Sequence, residues 1–404
     1  MTRRTSVRGR LAFFAVAAGL LLAAEVRVRS AAGPDFTRFV AVGDSLTAGY
    51  QNDSLLASQQ VNGLASLIAQ QAGVPLALPL IAPPGIPNVI VDVNPGLPPT
   101  FTRAPGSSPG RLNPLVQAMN LAVPGHTVHD ALITRPNLPI DSLTDLVLGV
   151  PALFNGIARS QIEWAEAVSP TTILLWLGSA DALRTIFIAS PIGLTPPASF
   201  ASDYAAVMQR LAATGATLIV ANVPDVTRVP YLTRAEDAAA FVGLPLATIG
   251  PVLGIGSGDA ITPNGLALIS SILANPALGP LPDAVVLTSA EAITIRSAID
   301  AYNAIITAQA ELHGATLVDV HGLFGDLHER GYTVLGRELT PSFFGGIFSL
   351  DGIHPTNTGY AILANEVIRT MNRQLGSDIP SLPIARIAND DPLIGPRVPP
   401  GTVR

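Results

Sequence analysis

Short, mostly apolar runs alternate along this chain with longer stretches in which apolar residues return every three or four positions. The runs are Phe39-Val40-Ala41-Val42, Val116 to Val123, Thr172 to Leu177, Thr217 to Asn222 and Thr316 to Val320. Continuous apolar runs of this length, without in–out alternation, predict strands buried on both faces of a parallel sheet. After the first run, Leu55, Leu56, Val61, Leu64, Leu67 and Ile68 recur at near-helical spacing until Gly73 and Pro75 stop the pattern. The same spacing predicts helices over 157–168, 199–213, 289–312 and 358–375. The last carries Tyr360, Leu363, Ala364, Val367, Ile368 and Met371 as one apolar stripe. Strands alternating with helices predict an α/β domain whose sheet is covered on both faces.

Three stretches break the alternation. Residues 74–114 and 228–282 are rich in Pro and Gly, and 377–404 are Pro-rich without a pattern. The first is read as a loop covering a site, the second as an insertion beside it, and the third as a loose tail. The two excursions are expected to shape pockets beside that site and to exclude water. Their apolar residues, among them Leu76, Leu78, Leu80, Ile81, Ile86, Leu244 and Leu246, would give such pockets an apolar lining, although the same residues would also pack the loops down.

At the start, Arg3, Arg4, Arg8 and Arg10 precede an uncharged run from Leu11 to Ala24 and then Ser30-Ala31-Ala32. A basic start, a short apolar core and small residues predict a signal peptide over 1–32, cleaved after Ala32 or Ala24, and hence export to the periplasm or outside the cell. The run is shorter than a membrane span. Arg3-Arg4 raises the twin-arginine route, but Ser6 and Val7 fit it poorly. The formal charge of −6 is spread out, with no basic stripe to follow a phosphate backbone, so nucleic acid is not expected as a partner. The absence of cysteine excludes thiolate zinc sites, disulfides and a cysteine nucleophile.

Candidate chemistry begins where the first strand ends, at Gly43-Asp44-Ser45-Leu46. A serine at the carboxyl end of such a strand lies where open α/β sheets place their ligands, beside backbone N–H groups that can bind an anion. By themselves Asp44 and Ser45 could equally cap a helix. Near the other end stands Asp351-Gly352-Ile353-His354. A serine hydroxyl needs a base, and the base needs an acid to fix its tautomer, which Asp351 and His354 can supply. Alone they could be a surface pair near a helix cap. His126, His129 and Asp130 would offer metal ligands, but no further cluster completes a site. Trp164 and Trp176 are expected in the core, and Asp181 is expected to cap a helix starting at Ala182.

Taken in order, Gly43-Asp44-Ser45-Leu46, Asn120-Leu121-Ala122-Val123-Pro124-Gly125, Gly178-Ser179-Ala180-Asp181 and Asp351-Gly352-Ile353-His354 resemble the SGNH/GDSL hydrolase family, over about residues 36–376. The resemblance implies a flavodoxin-like three-layer α/β sandwich with a central parallel sheet of about five strands. It implies ester hydrolysis through an acyl-enzyme, without metal or organic cofactor. Ser45 is then the nucleophile, His354 the general base and acid, and Asp351 the residue orienting His354. The N–H groups of Ser45 and Gly125 hold the oxyanion, and Asp44 supports the nucleophile turn.

One departure stands out. The family's third block is Gly-x-Asn-Asp, its asparagine donating to the oxyanion, but here Ala180 fills that place. Losing one such donor costs on the order of 10²- to 10³-fold in turnover. Three accounts stay open: Ser179 or His126 replaces the donor, the substrate needs less stabilisation, or hydrolysis has been given up for binding. The expected activity is that of an exported esterase or lipase acting on a small-molecule or lipid ester, with at most transient membrane contact. The rivals are a carbohydrate O-acetylesterase, which would want aromatic platforms although aromatics are only 5% of the chain, and a non-catalytic envelope binding protein.

Overall fold

The computed structural model describes residues 33–93, 98–105 and 110–394, so the signal peptide read over 1–32 and the last part of the tail lie outside the described residues. Four of the apolar runs form the central sheet: β1 (Phe39–Gly43), β2 (Thr172–Trp176), β3 (Thr217–Ala221) and β4 (Thr316–Val318). They pair in parallel in the order β1-β2-β3-β4, with Phe39 opposite Thr172, Thr172 opposite Thr217 and Ile219 opposite Thr316. Their side chains are almost wholly buried, as their lack of alternation requires.

The run at 116–123 was expected to be a full fifth strand and is not. Residues 119–123 do lie parallel to β1, bridged at Asn120 and Ala41, with Leu121 N–H on Ala41 O at 2.8 Å and Val123 N–H on Gly43 O at 3.1 Å. Ala41 N–H also donates to Met119 O at 3.0 Å, and the Asn120 side chain fixes the segment further, donating to Thr47 O at 3.0 Å and accepting from Ala122 N–H at 3.2 Å. With this segment on the outer side of β1, the sheet has the doubly wound order that leaves a crevice at the carboxyl end of β1.

Helices cover both faces. Residues Leu64–Ala72 and Asn357–Leu375 pack together on one side, and Val128–Ile133, Gln161–Ala167, Pro197–Ala212 and Ser289–Leu312 on the other. Trp176 is fully buried, and Phe200 stacks between Tyr204 at 5.5 Å and Tyr302 at 4.1 Å. Large side chains buried in this way contribute about 1.5–3 kcal/mol each.

The second excursion is more regular than its Pro and Gly content indicated. Three helices, Ala235–Val242, Leu246–Leu253 and Pro263–Ala274, pack on a small antiparallel sheet and enclose their own core of Ile249, Leu253, Ile261 and Ile269. Its Pro and Gly residues are punctuation: Pro263 opens one helix, and Gly243 and Gly254 close two others in left-handed backbone. The first excursion carries an antiparallel ribbon, Val89–Asp92 with Thr100–Arg103.

Residues 377–394 are not a loose tail. Helix Ile384–Asp390 packs on Asn357–Leu375, and buried Asp391 accepts from Thr358 N–H at 2.8 Å and its hydroxyl at 2.9 Å. Asn365 and Asn372 hold the backbone of Leu382 and Ile379. The segment is held by these polar contacts together with buried Ile379, Leu382, Ile384 and Ala388, and bonds from polar side chains to backbone leave no periodic stripe in the sequence. Asp391→Ala should therefore lower the unfolding free energy by about 1–2 kcal/mol in a denaturant titration, because it strands buried donors at the start of a long helix. An unchanged midpoint would show that the segment contributes nothing.

Candidate active site

β1 ends at Gly43, and Asp44 caps the one-turn helix Ser45–Ala48 by accepting Leu46 N–H at 3.0 Å. The turn thus holds Ser45 at the carboxyl edge of the sheet, nearly buried at 8% exposure. Segment 119–123 runs alongside β1 and ends in the turn Val123-Pro124-Gly125-His126, closed by His126 N–H on Val123 O at 3.2 Å. Gly125 has φ +82°, the left-handed value that the third position of a type II turn demands, and a side chain built there would meet nothing within 4 Å. Among the described residues neither Ser45 N–H nor Gly125 N–H donates to a protein acceptor. Both stay free for a ligand.

The other half of the site is the loop before helix Asn357–Leu375. Asp351 Oδ2 accepts from His354 Nδ1 and from Asp53 N–H, both at 2.9 Å, while Oδ1 accepts from Ile353 N–H and His354 N–H at 2.8 Å. A carboxylate on Nδ1 places the ring proton there and leaves the lone pair on Nε2. That Nε2 is buried without a protein partner. His354 and Ser45 line one small cavity together with Ser179. Burial alone would raise the Asp351 carboxyl, but the charge of His354 and the hydrogen bonds hold it below the usual carboxylate value. Tyr50 packs its ring 4.8 Å from that of His354.

The two halves are stitched together by residues the sequence did not single out. Leu350 N–H donates to Asn52 Oδ1 at 3.0 Å, Asn52 N–H to Ser349 Oγ at 3.2 Å, and Tyr360 Oη to Tyr50 O at 2.8 Å. Asn52 and Asp53 adopt φ of +52° and +54°, which these two residue types tolerate best among those with a side chain. An Asn-Asp pair shortly after the Ser45 turn is the one signal that marked this bend.

At the end of β2 the helix starts at Ser179, three residues earlier than expected, so Asp181 is not its cap. Asp181 instead accepts Val128 N–H at 3.0 Å, and burial pushes its carboxyl up to about 6. Ser179 Oγ is buried without a partner on the wall of the cavity shared by Ser45 and His354. His126, the other candidate to replace a donor at Ala180, is committed elsewhere. Its Nδ1 meets Gln161 Nε2 at 3.0 Å and its Nε2 meets Thr144 Oγ1 at 2.9 Å, and burial drives its pKa down to about 4. Gln161 Oε1 in turn accepts Gly43 N–H at 3.1 Å, so its amide donates to His126. His129 points the other way, to Asp203 at 3.0 Å on the surface. The two histidines face separate partners, and among the described residues no group of three or more His, Asp or Glu is placed to hold a metal ion. Trp164 and Trp176 lie in the core, each donating to a carbonyl, of Leu148 and Asn222.

A cleft of about 280 Å³ opens beside His354 and Asp351. Although aromatics are sparse in the chain, Phe101, Phe187, Tyr231 and Phe343 gather at this cleft.

The family model for GDSL-like lipase/acylhydrolase matches residues 39–367 of this chain. No curated protein sequence matches it. Among solved structures, the chain is similar to LAE5, an alpha/beta hydrolase enzyme from the metagenome of Lake Arreo, Spain, with 14% identity, 83% of this chain and 95% of that chain covered, and a TM-score of 0.39. It is similar to the psychrotrophic esterase EstA from Pseudoalteromonas sp., with 12% identity, 84% and 100% covered, and a TM-score of 0.37. It is also similar to a variant of Axe2, an acetyl xylan esterase from Geobacillus stearothermophilus, with 13% identity, 82% and 93% covered, and a TM-score of 0.37.

Burial pushes the Asp44 carboxyl up to about 7, while Leu46 N–H, the charge of His354 and Ala180 N–H work the other way. The native protein then keeps a proton that the unfolded chain has released, so this contribution to stability is lost as pH rises from about 4 through about 7. His126 acts with the opposite sign, losing stability as pH falls from about 6.5 toward about 4. The two partly cancel in the wild type. Asp44→Asn keeps a capping acceptor and removes one titration. Its unfolding free energy relative to wild type should rise by up to about 1.4 kcal/mol per pH unit across that window. Parallel pH profiles of the two proteins would contradict the raised pKa.

Proposed function

The chain belongs to the GDSL-like lipase/acylhydrolase family, whose chemistry is ester hydrolysis, and on that footing we propose that it is an exported serine esterase acting through an acyl-enzyme on Ser45. The observation that carries the reading is His354 Nε2, buried without a partner in the cavity it shares with Ser45. That nitrogen takes the Ser45 proton as Oγ attacks the ester carbonyl carbon. Asp351 holds the imidazolium that results, and its low pKa keeps it ionised for that task. Collapse of the tetrahedral intermediate expels the alcohol, which receives its proton from His354. A water then attacks the acyl-enzyme with His354 again as base, releasing the acid and restoring Ser45.

The oxyanion is stabilised by the free N–H groups of Ser45 and Gly125 and by the hydroxyl of Ser179. Ser179 takes the place left by the missing side-chain donor at Ala180, because its Oγ is unpaired in that cavity while both ring nitrogens of His126 are engaged. Export rests on the basic start and the apolar run from Leu11 to Ala24. A second reading, hydrolysis of carbohydrate O-acetyl esters, draws support from the aromatic rings gathered at the cleft.

Hydrolysis of p-nitrophenyl acetate by the purified protein tests the reading. Ser45→Ala should fall to the uncatalysed background. Ser179→Ala should lower kcat about 10²- to 10³-fold with little change in KM, and Ala180→Asn should recover part of that loss in the Ser179→Ala background. Equal rates for wild type and Ser45→Ala would overturn the esterase reading. A wild-type rate for Ser179→Ala would remove only its third donor.

A further inference from the structure

The cleft beside His354 lies on the alcohol side of the reaction. His354 Nε2 takes the Ser45 proton and then hands it to the departing alcohol, so the leaving oxygen must come within hydrogen-bond reach of that ring. The cleft and the small cavity that holds Ser45 have His354 and Ile353 as a common wall. An alcohol that leaves past His354 therefore enters the cleft. Its volume of about 280 Å³ falls just below the roughly 300–1,000 Å³ of pockets for drug-sized ligands, which suits a small alcohol.

Four rings reach this cleft from four separate segments: Phe101 from the ribbon, Phe187 from the end of helix Ser179–Phe187, Tyr231 from the insertion and Phe343 from the loop before Asp351. Phe187 and Tyr231 meet edge to face, with centroids 5.3 Å apart and planes at 81°, and so form a corner. Gly352 fixes two of the rings to the catalytic loop. Its carbonyl accepts Tyr231 N–H at 2.9 Å, and with φ +68° a side chain built on it would come within 2.7 Å of the Phe343 ring. Phe187 stays 47% exposed, so the rings line open space and are not a piece of core.

Two carboxylates line the cleft, and among the described residues no arginine does. Asp351 is committed to the His354 ring and to backbone N–H groups. Asp53 is not. Its N–H anchors it on Asp351 Oδ2 at 2.9 Å and its Oδ1 accepts Tyr50 Oη at 3.3 Å, while no hydrogen bond reaches its Oδ2 among the described residues. Burial raises the Asp53 carboxyl, and the charge of Arg103, which does not line the cleft, offsets this only in part. Ring faces are negative, so four rings beside a carboxylate short of partners attract the same kind of group, a weakly hydrated cation.

Resting on the esterase reading above, we propose that the cleft binds the alcohol part of an ester whose alcohol carries a quaternary or alkylated ammonium group, held among the rings with Asp53 as its counter-charge. Reaction leaves the acyl group on Ser45, and the cationic alcohol departs with the proton from His354. Selection of the alcohol then belongs to the ribbon, the insertion and the loop before Asp351, and not to the central sheet.

The test compares two acetates of equal shape at pH 8: choline acetate and 3,3-dimethylbutyl acetate, in which carbon replaces the ammonium nitrogen. In the wild type kcat/KM should be at least about tenfold higher for the cation. Asp53→Asn keeps the backbone bond to Asp351 and suits the left-handed backbone there, and it should lower that ratio to about two. Phe187→Leu, at an exposed helix end, should lower it about threefold. Calorimetric titration of Ser45→Ala with choline acetate should show saturable binding, which adding Asp53→Asn removes. A wild-type ratio near one, a ratio indifferent to Asp53→Asn, or faster turnover of an acetylated methyl xyloside than of choline acetate overturns the cation site. In each of these outcomes, turnover that depends on Ser45 keeps the esterase reading. Saturable binding of choline acetate to Ser45→Ala, with no ester hydrolysed by the wild type, keeps the cation site and overturns the esterase reading.

Discussion

The site depends on a seam of hydrogen bonds between two segments about three hundred residues apart. Ser45 follows the first strand, and His354 precedes the last long helix, so nothing local holds them together. The bend at Tyr50–Asp53 does so, exchanging bonds with Ser349, Leu350 and Asp351, while Tyr360 donates back to Tyr50 O and Gln51 donates to Asn357. These groups are largely buried, so a broken bond would leave a donor or acceptor unpaired at a cost of about 1–3 kcal/mol. The geometry of Ser45 and His354 is thereby tied to the folding of the whole sheet.

The same accounting separates two carboxylates at nearly equal depth. Asp351 receives three backbone N–H groups and the His354 ring, and its pKa stays low. Asp44 is given less compensation, and burial takes it to about 7. One carboxylate stays charged beside the His354 ring, and the other shapes a turn. Donor supply, more than depth, divides their roles.

Much of the frame was legible. Apolar runs without alternation have one stable home, between two layers of helices, and the long helix over 289–312 was readable to its end because its period is unbroken. The motifs at Ser45 and at Asp351 and His354 stood out because so few residue types suit that chemistry. Less visible was anything that depends on where a polar side chain turns. Asn120 ties its segment to the turn after β1 by reaching for Thr47 O, and Asp391 orders a Pro-rich end by capping a helix more than thirty residues away. Whether Ser179 or His126 faced the cavity rested on Gln161 and Thr144, which reach His126 from distant elements. The low aromatic content concealed that four rings converge on one cleft.

The central claim is that His354, held by Asp351, activates Ser45 and no other hydroxyl. Ser179 lies in the same cavity, which makes site-resolved labelling the most direct measurement. The protein would be treated with a fluorophosphonate and the adduct located by peptide mass spectrometry, in wild type and in His354→Ala. The account predicts one adduct, on Ser45, whose rate of formation collapses in His354→Ala. No adduct, an adduct on Ser179, or labelling of Ser45 that is indifferent to His354 would contradict it.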